Sequence, residues 1–326
     1  MVNVALIVYR RPETTRRVCD VVAKARPQRL FVIADGPKDS GEAPLCERAR
    51  NVVEQVSWPC EVHRCYAQTN LGSRVRVSSG LDWVFSQVPE AIILEDDCVP
   101  HASFFRFCRE LLEYYRDDER VWQIGGTNHA PCAGDYPFGY YFSRYAYCWG
   151  WATWRRAWQQ FDADIRAWPA AKAARKHHAM LPTQREVYYF EDLWDDALNH
   201  RLDAWDYQWA FAQIMSGGLS IVPKVNLVRN IGFGAGSTHT KVAGPSWARL
   251  PVQPMAFPLI HPATMTIDRR EEKRAIRRIF FDAESGMRWW LRRLRNRHFY
   301  GQLIRCMPLI GALWARLRRD TTRSGR

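Results

Sequence analysis

The chain predicts an α/β architecture: a mixed sheet flanked by helices, followed by a basic helical extension. Two observations carry this. Apolar runs at residues 4–9 and 30–34 bracket an amphipathic segment, the pattern of strand, helix and parallel strand. A further run, residues 91–94, leads straight into Glu95, Asp96 and Asp97 and is bounded by Pro89 and Pro100. Such a run reads as a buried strand. Ionised carboxylates cost several kcal/mol each to bury uncompensated, on the order given by transfer data. The three acids are therefore expected just past the strand's C-terminal end, where open α/β sheets bind ligands. A solvated acidic turn is the alternative.

The elements follow in order. Arg10, Arg11 and Pro12 end the first run; a helix capped by Glu13 or Thr14 buries Val18, Val21, Val22 and Ala25. The second strand ends in Asp35-Gly36-Pro37. Residues 39–57 read as helix and 62–66 as a third strand, followed by Asn70-Leu71-Gly72. Ser73 opens a helix with Val77, Leu81, Val84 and Phe85 inward. After the acidic strand, Ser103 caps a helix on which Phe104, Phe107, Cys108, Leu111, Leu112 and Tyr115 recur with a 3.6 period. Residues 122–126 read as a strand. Residues 131–147 are rich in Gly, Pro and Tyr and lead into a segment crowded with Trp149, Trp151, Trp154 and Trp158. Residues 162–181 read as mixed and mobile, 191–198 as an acidic helix, and Trp205-Asp206-Tyr207 as the start of another. Residues 220–228 form a strand interrupted by Pro223, hence an edge or bulge. A glycine-rich loop at 232–236 precedes His239, and the Pro-rich stretch 251–262 reads as a linker. The domains expected are 1–265, with a nucleotide-binding half 1–100 and an acceptor half 101–265, and a basic extension 266–326.

Composition narrows the class. The 326 residues are 47% hydrophobic and 25% charged, which suits a globular protein with a sizeable core. Nine cysteines without a CxxC pair argue against a disulfide framework or zinc ribbon and suit a reducing cytosol. The first residues place their charges after the apolar run, the reverse of signal-peptide order. The formal charge of +13 is lopsided: residues 269–326 carry 17 Arg and Lys against 5 Asp and Glu. The body is thus nearly neutral.

The order of motifs resembles the GT-A fold nucleotide-sugar glycosyltransferases, whose sheet is Rossmann-like and mixed. It resembles more narrowly the bacterial sugar-nucleotide transferase or haemolysin-like proteins, and distantly N-acetylglucosaminyltransferase I. The motifs are Tyr9-Arg10-Arg11-Pro12, Asp35-Gly36, the ILEDDCVP strand with its Phe-rich helix, the GWATW segment, WDYQW, and the glycine loop ending at His239. The likeness spans residues 2–240. It implies transfer of a sugar from a UDP-sugar donor to an acceptor glycan, with inversion and with Mn2+ or Mg2+ as cofactor.

The resemblance also implies roles. Asp97 contacts the metal, Asp96 the ribose hydroxyls, and Glu95 lines the donor-sugar site or merely starts a turn. Asp35 accepts a uracil N–H and Gly36 allows close approach, although Asp-Gly-Pro is also a common turn. Tyr9 stacks on the base and Arg10 reaches phosphate. Asn70, Gly72 and Arg74 contact nucleotide or simply cap a helix. Asp206 is the carboxylate base of an inverting transfer, with Glu191, Asp192 and Asp195 as competitors. His239 joins the metal or the diphosphate. Trp149, Trp151 and Trp154 wall the acceptor or pack in the core.

Three rivals are weighed. A nucleotidyltransferase normally carries a glycine-rich loop after its first strand, and residues 9–15 have none. A nucleic-acid binder suits the basic tail but leaves the acidic triplet unexplained. A two-carboxylate glycosidase leaves the nucleotide-like first half without purpose. In the tail, Trp289, Trp290, Leu291, Leu294, Phe299, Tyr300, Trp314 and Leu317 alternate with Arg. That pattern suits an amphipathic helix on an anionic membrane and hence a lipid-linked or cell-surface acceptor. The expected location is cytoplasmic, on the inner face of the plasma membrane, with no nucleic-acid partner.

Overall fold

A computed structural model describes residues 2–233 and 249–281. His239 and the aromatic part of the basic tail lie outside the described residues. The chain divides into two compact units, Met1–Ala275 and Ile276–Arg326. The sheet and the cleft described below belong to the first.

Strands β1 (Asn3–Val8), β2 (Arg29–Ala34), β3 (Glu61–Tyr66) and β4 (Glu90–Glu95) alternate with helices α1 (Pro12–Ala25), α2 (Ala43–Val53) and α3 (Gly72–Gln87). Then come β5 (Cys98–Pro100), α4 (Ser103–Tyr114), β6 (Val121–Gly125), β7 (Tyr140–Ser143), β8 (Trp151–Trp154) and α5 (Arg155–Trp158). The rest comprises α6 (Trp168–Ala173), α7 (Lys176–Met180), α8 (Gln184–Leu198), α9 (Asp206–Ser216), β9 (Leu219–Pro223), β10 (Val228–Asn230) and α10 (Arg269–Ile276). Eight strands form one mixed sheet in the order β3-β2-β1-β4-β8-β6-β9-β7, and β5 pairs with β10. The expected α/β sheet is therefore present. β3, β2, β1 and β4 are mutually parallel, whereas β8 runs antiparallel to both β4 and β6.

Alternation along each strand decides which helix covers which face. Val4, Leu6 and Val8 join Ile92 and Leu94 beneath α1, α2 and α4. Ala5, Ile93 and Phe31 face α3, α5 and α9 on the other side. The chain leaves β1 toward β2 and β3 on one side and returns to β4 on the other. The C-terminal ends of β1 and β4 thus flank a topological switch point, and Ile7 stands opposite Glu95 there.

Four expectations are corrected. Trp151 and Trp154 are core residues rather than an acceptor wall: three positions apart on β8, they point to opposite faces and are 1% and 2% exposed. Trp151 stacks on Trp205 at 5.5 Å, and the Trp154 indole donates to the Leu112 carbonyl at 3.2 Å. The Pro-rich stretch 251–262 packs on the body instead of linking domains. Met255 and Leu259 are buried, the Gly139 N–H donates to the Ile260 carbonyl, and the Tyr140 hydroxyl meets His261 Nδ1 at 2.8 Å. Residues 162–181 are anchored by α6, α7 and the fully buried Ile165 and Trp168. Finally, β9 is not an edge strand: it lies between β6 and β7 with Pro223, opposite Tyr140, as its last residue, and the irregularity in its pairing with β6 falls at Val121–Gln123 instead of at the proline.

Candidate active site

One cleft opens over the C-terminal ends of β1, β2 and β4 and the start of α3. Tyr9, Arg11, Asp35, Lys38, Asn70 and Gly72 line it, together with Arg76, Glu95, Asp96, Asp97 and Asp203. Parallel pairing places Tyr9 just beyond β1, level with the acids just beyond β4. The expected triplet is thus where an α/β sheet presents ligand contacts.

Each acid has its own surroundings. The Asp96 carboxylate accepts from the Tyr9 N–H at 3.0 Å through Oδ2. Burial, then the neighbouring charge of Asp97, pushes the Asp96 carboxyl up to about 7. Burial, followed by the charges of Asp97, Asp206 and Asp96, holds Glu95 well above the usual carboxylate range. Asp97 Oδ2 pairs with Arg11 Nη1 at 2.5 Å, and its Oδ1 lies 3.4 Å from Asn230 Nδ2. Gly232 lies so close that a Cβ there would strike the Asp97 carboxylate and Arg11. Asp206 opens α9, and its charge reaches both Glu95 and the Cys148 thiol. A carboxylate cluster, buried at Asp96 and Asp97 and half-buried at Glu95 and Asp206, is thus gathered from the end of β4 and the start of α9.

The start of α3 shows what holds the cleft's shape. Asp35 Oδ1 accepts from the Gly36 and Leu71 N–H groups at 2.8 and 2.9 Å. Its Oδ2 accepts from Asn70 Nδ2 and the Gly72 N–H at 2.9 and 3.1 Å. Asp203, from the loop before α9, accepts from the Ser73 and Arg74 N–H groups at 3.0 and 2.9 Å. Two remote carboxylates therefore satisfy the helix's first N–H groups. A carboxylate offers about four acceptor positions, and Asp35 fills four here. The expectation that Asp35 reads a base N–H is corrected on that count; it shapes the loop.

Gly36 is required by the Thr69 backbone, against which a Cβ would lie, rather than by a ligand. Gly72 adopts φ +78°, and a Cβ there would stand 2.7 Å from Asp203. The contact of Asn70, Gly72 and Arg74 through the helix terminus is replaced by capping, although Asn70 and Gly72 still line the cleft. The Arg74 guanidinium turns away to Asp164 at 3.2 Å.

Arg10 is likewise turned aside. It pairs with Glu42 at 2.6 Å, and the Tyr9 hydroxyl bonds to the same glutamate. The cations that do line the cleft are Arg11, Lys38 and Arg76. Sequence reasoning passed over all three, because nothing local separates Arg11 from Arg10 or Arg76 from Arg74. Arg76 is 6% exposed, and its Nε has no partner among the described residues. Among the competing acids, Glu191 is engaged by His177 at 2.9 Å. Asp195 accepts from the Trp168 indole at 2.9 Å and pairs with Lys172. Trp149 lies half-buried, between His129 and Phe233.

A divalent cation fits the donor set at the triplet, which is all oxygen. Among the described residues, Glu95, Asp96 and Asp97 do not converge on one point. Asp97 Oδ2 is already engaged by Arg11, so a cation held there would have to share or displace that contact.

No family model matches the chain, and no curated protein does. Solved structures that align with parts of this chain include an apo UDP-glucose pyrophosphorylase, 8% identical over 73% of this chain and 94% of that one, at a TM-score of 0.36. Mouse xyloside xylosyltransferase 1 is 11% identical over 65% of this chain and 81% of its own, at 0.32. A 4-diphosphocytidyl-2C-methyl-D-erythritol synthase from Anaerococcus prevotii is 8% identical over 49% and 74%, at 0.31.

Proposed function

We propose that the protein is a metal-dependent glycosyltransferase that moves a sugar from a UDP-sugar to an acceptor glycan with inversion. The observation that carries this is the acidic triplet at the end of β4, set at the switch point and faced by Arg11, Lys38 and Arg76. Anionic diphosphate needs cations, and a metal on Asp97 needs an oxygen-rich ligand; one cleft supplies both. Only Tyr9, Arg10 and Arg11 connect β1 to α1, too short and without the glycines of a nucleotidyltransferase loop.

The contacts support the following roles. Asp96 has Oδ2 committed to the Tyr9 N–H, and its Oδ1 would take the ribose hydroxyls. Arg11 and Arg76 bring positive charge to the diphosphate. The metal, when bound to Asp97, would neutralise charge on the leaving diphosphate. Glu95, held above the usual carboxylate range by burial and its acidic neighbours, would line the donor-sugar site. The base that removes the acceptor hydroxyl's proton would be Asp206, the position that matches the resembled family. The basic tail supports an acceptor carried at an anionic membrane.

The test is UDP release from a panel of UDP-sugars. Asp206→Asn should lower turnover by about 10²- to 10⁴-fold, the usual cost of a lost general base, with UDP affinity unchanged. Loss of affinity and turnover together would make Asp206 structural and remove the catalytic assignment.

A further inference from the structure

Away from the cleft, α7 and α8 bring two histidines and a glutamate together. Arg175 adopts φ +52° and turns the chain into α7. His177 is fully buried, and the His178 side chain is 23% exposed. His177 Nε2 lies 2.9 Å from Glu191 Oε1, and His178 Nε2 lies 3.7 Å from the same oxygen. One ligand atom from each residue lies within 4.8 Å of the other two. In a tetrahedral site with bonds of about 2.0–2.1 Å, ligand atoms stand roughly 3.3–3.4 Å apart. The three atoms are therefore close to ligating separation before any ion arrives. Trp168 packs edge-on against the His177 ring at 5.0 Å, and Trp194 stands at 6.4 Å. These walls hold the imidazole where it is.

We infer that His177, His178 and Glu191 bind a divalent transition metal of the zinc type, with water as a fourth ligand. Two imidazoles and one carboxylate suit zinc or cobalt, whereas the oxygen donors of the cleft suit magnesium or manganese. The two sites therefore differ in chemistry as well as in place. The ion would clasp α7 to α8, and α8 packs against α9, whose first residue is Asp206. Its role is to stiffen the framework behind that residue.

Arg175 opposes the metal. Its Nη2 stands 3.3 Å from His178 Nδ1. A guanidinium only donates, so this contact leaves the His178 proton on Nε2, the nitrogen that must ligate. Metal binding would move that proton to Nδ1, would do the same to the Nε2 proton that His177 donates to Glu191, and would displace Arg175. The alternative is a histidine–glutamate hydrogen bond that ties the helices without metal.

The experiment uses the full chain, stripped with chelator and titrated with Co2+ while visible absorption is recorded. Four-coordinate cobalt with nitrogen ligands absorbs strongly; six-coordinate cobalt on oxygen absorbs weakly, so the cleft stays nearly silent. One equivalent should give the strong band in the wild type and in Asp97→Asn alike, and Zn2+ should abolish it. His178→Gln should weaken binding by about tenfold or more, and Arg175→Ala should tighten it. Absence of the strong band would overturn the site. So would equal affinity in wild type, His178→Gln and Arg175→Ala. Should His178→Gln fail to fold, the exposed Arg175→Ala decides alone: unchanged affinity rejects the site.

Discussion

Replacing Asp35 with Asn tests whether that carboxylate reads a base or holds a loop. Each of its oxygens accepts two donors, Gly36 and Leu71 on one side and Asn70 and Gly72 on the other. Whichever way the Asn amide turns, its NH₂ faces two donors and two bonds are lost. Hydrogen bonds to a charged partner contribute about 1.5–3 kcal/mol each, and two of the three backbone donors belong to the start of α3. Asp35 carries a raised pKa through burial, so part of its charge stabilisation is already offset. A net loss of roughly 2–4 kcal/mol is expected. For a protein of this size that is roughly a 3–6 °C fall in Tm. Thermal denaturation without nucleotide measures it, and calorimetry measures UDP affinity in parallel. The refuting result is an unchanged Tm with UDP affinity reduced tenfold or more, which would return Asp35 to base recognition.

Other outcomes follow from the same contacts. Asp96 is pushed up by burial and by Asp97, so the folded state holds its proton where the unfolded chain has released it. Its contribution to stability therefore falls as pH rises from about 4 toward 7. In metal-free buffer, Asp96→Asn should raise Tm over the wild type at pH 8 and leave it nearly equal at pH 4; an equal gain at both would contradict the sign. Asn can still accept from the Tyr9 N–H, so the variant isolates the charge. Trp151→Ala should cost about 3–5 kcal/mol as a core truncation, read from chemical denaturation. A fully stable variant with a raised acceptor KM would restore the acceptor-wall assignment.

Much of the fold was legible because burial writes itself into apolar runs. Residues 30–34 and 91–94 lie within β2 and β4, and the Phe-rich period became α4. The triplet was legible for the same reason, since a buried strand aimed at three acids restricts where they can lie. The tryptophans of β8 were not, because an aromatic count does not say which face a side chain takes. Residues 251–262 were misjudged because proline marks where a ladder stops and says nothing about packing: Ile260 still offers its carbonyl to Gly139. The partners of the cleft were hidden by distance along the chain. Asp203 reaches Ser73 and Arg74 across about 130 residues, and Arg11 reaches Asp97 across 86. Neither local periodicity nor composition encodes such pairs.

The most direct measurement of the central claim is the affinity of UDP with and without Mn2+, in the wild type and in Asp97→Ala. The account predicts tight binding by the wild type with Mn2+, weak binding with EDTA, and for Asp97→Ala the weak value in both, with its fold intact by circular dichroism. UDP affinity that is the same with Mn2+ and with EDTA would contradict the account.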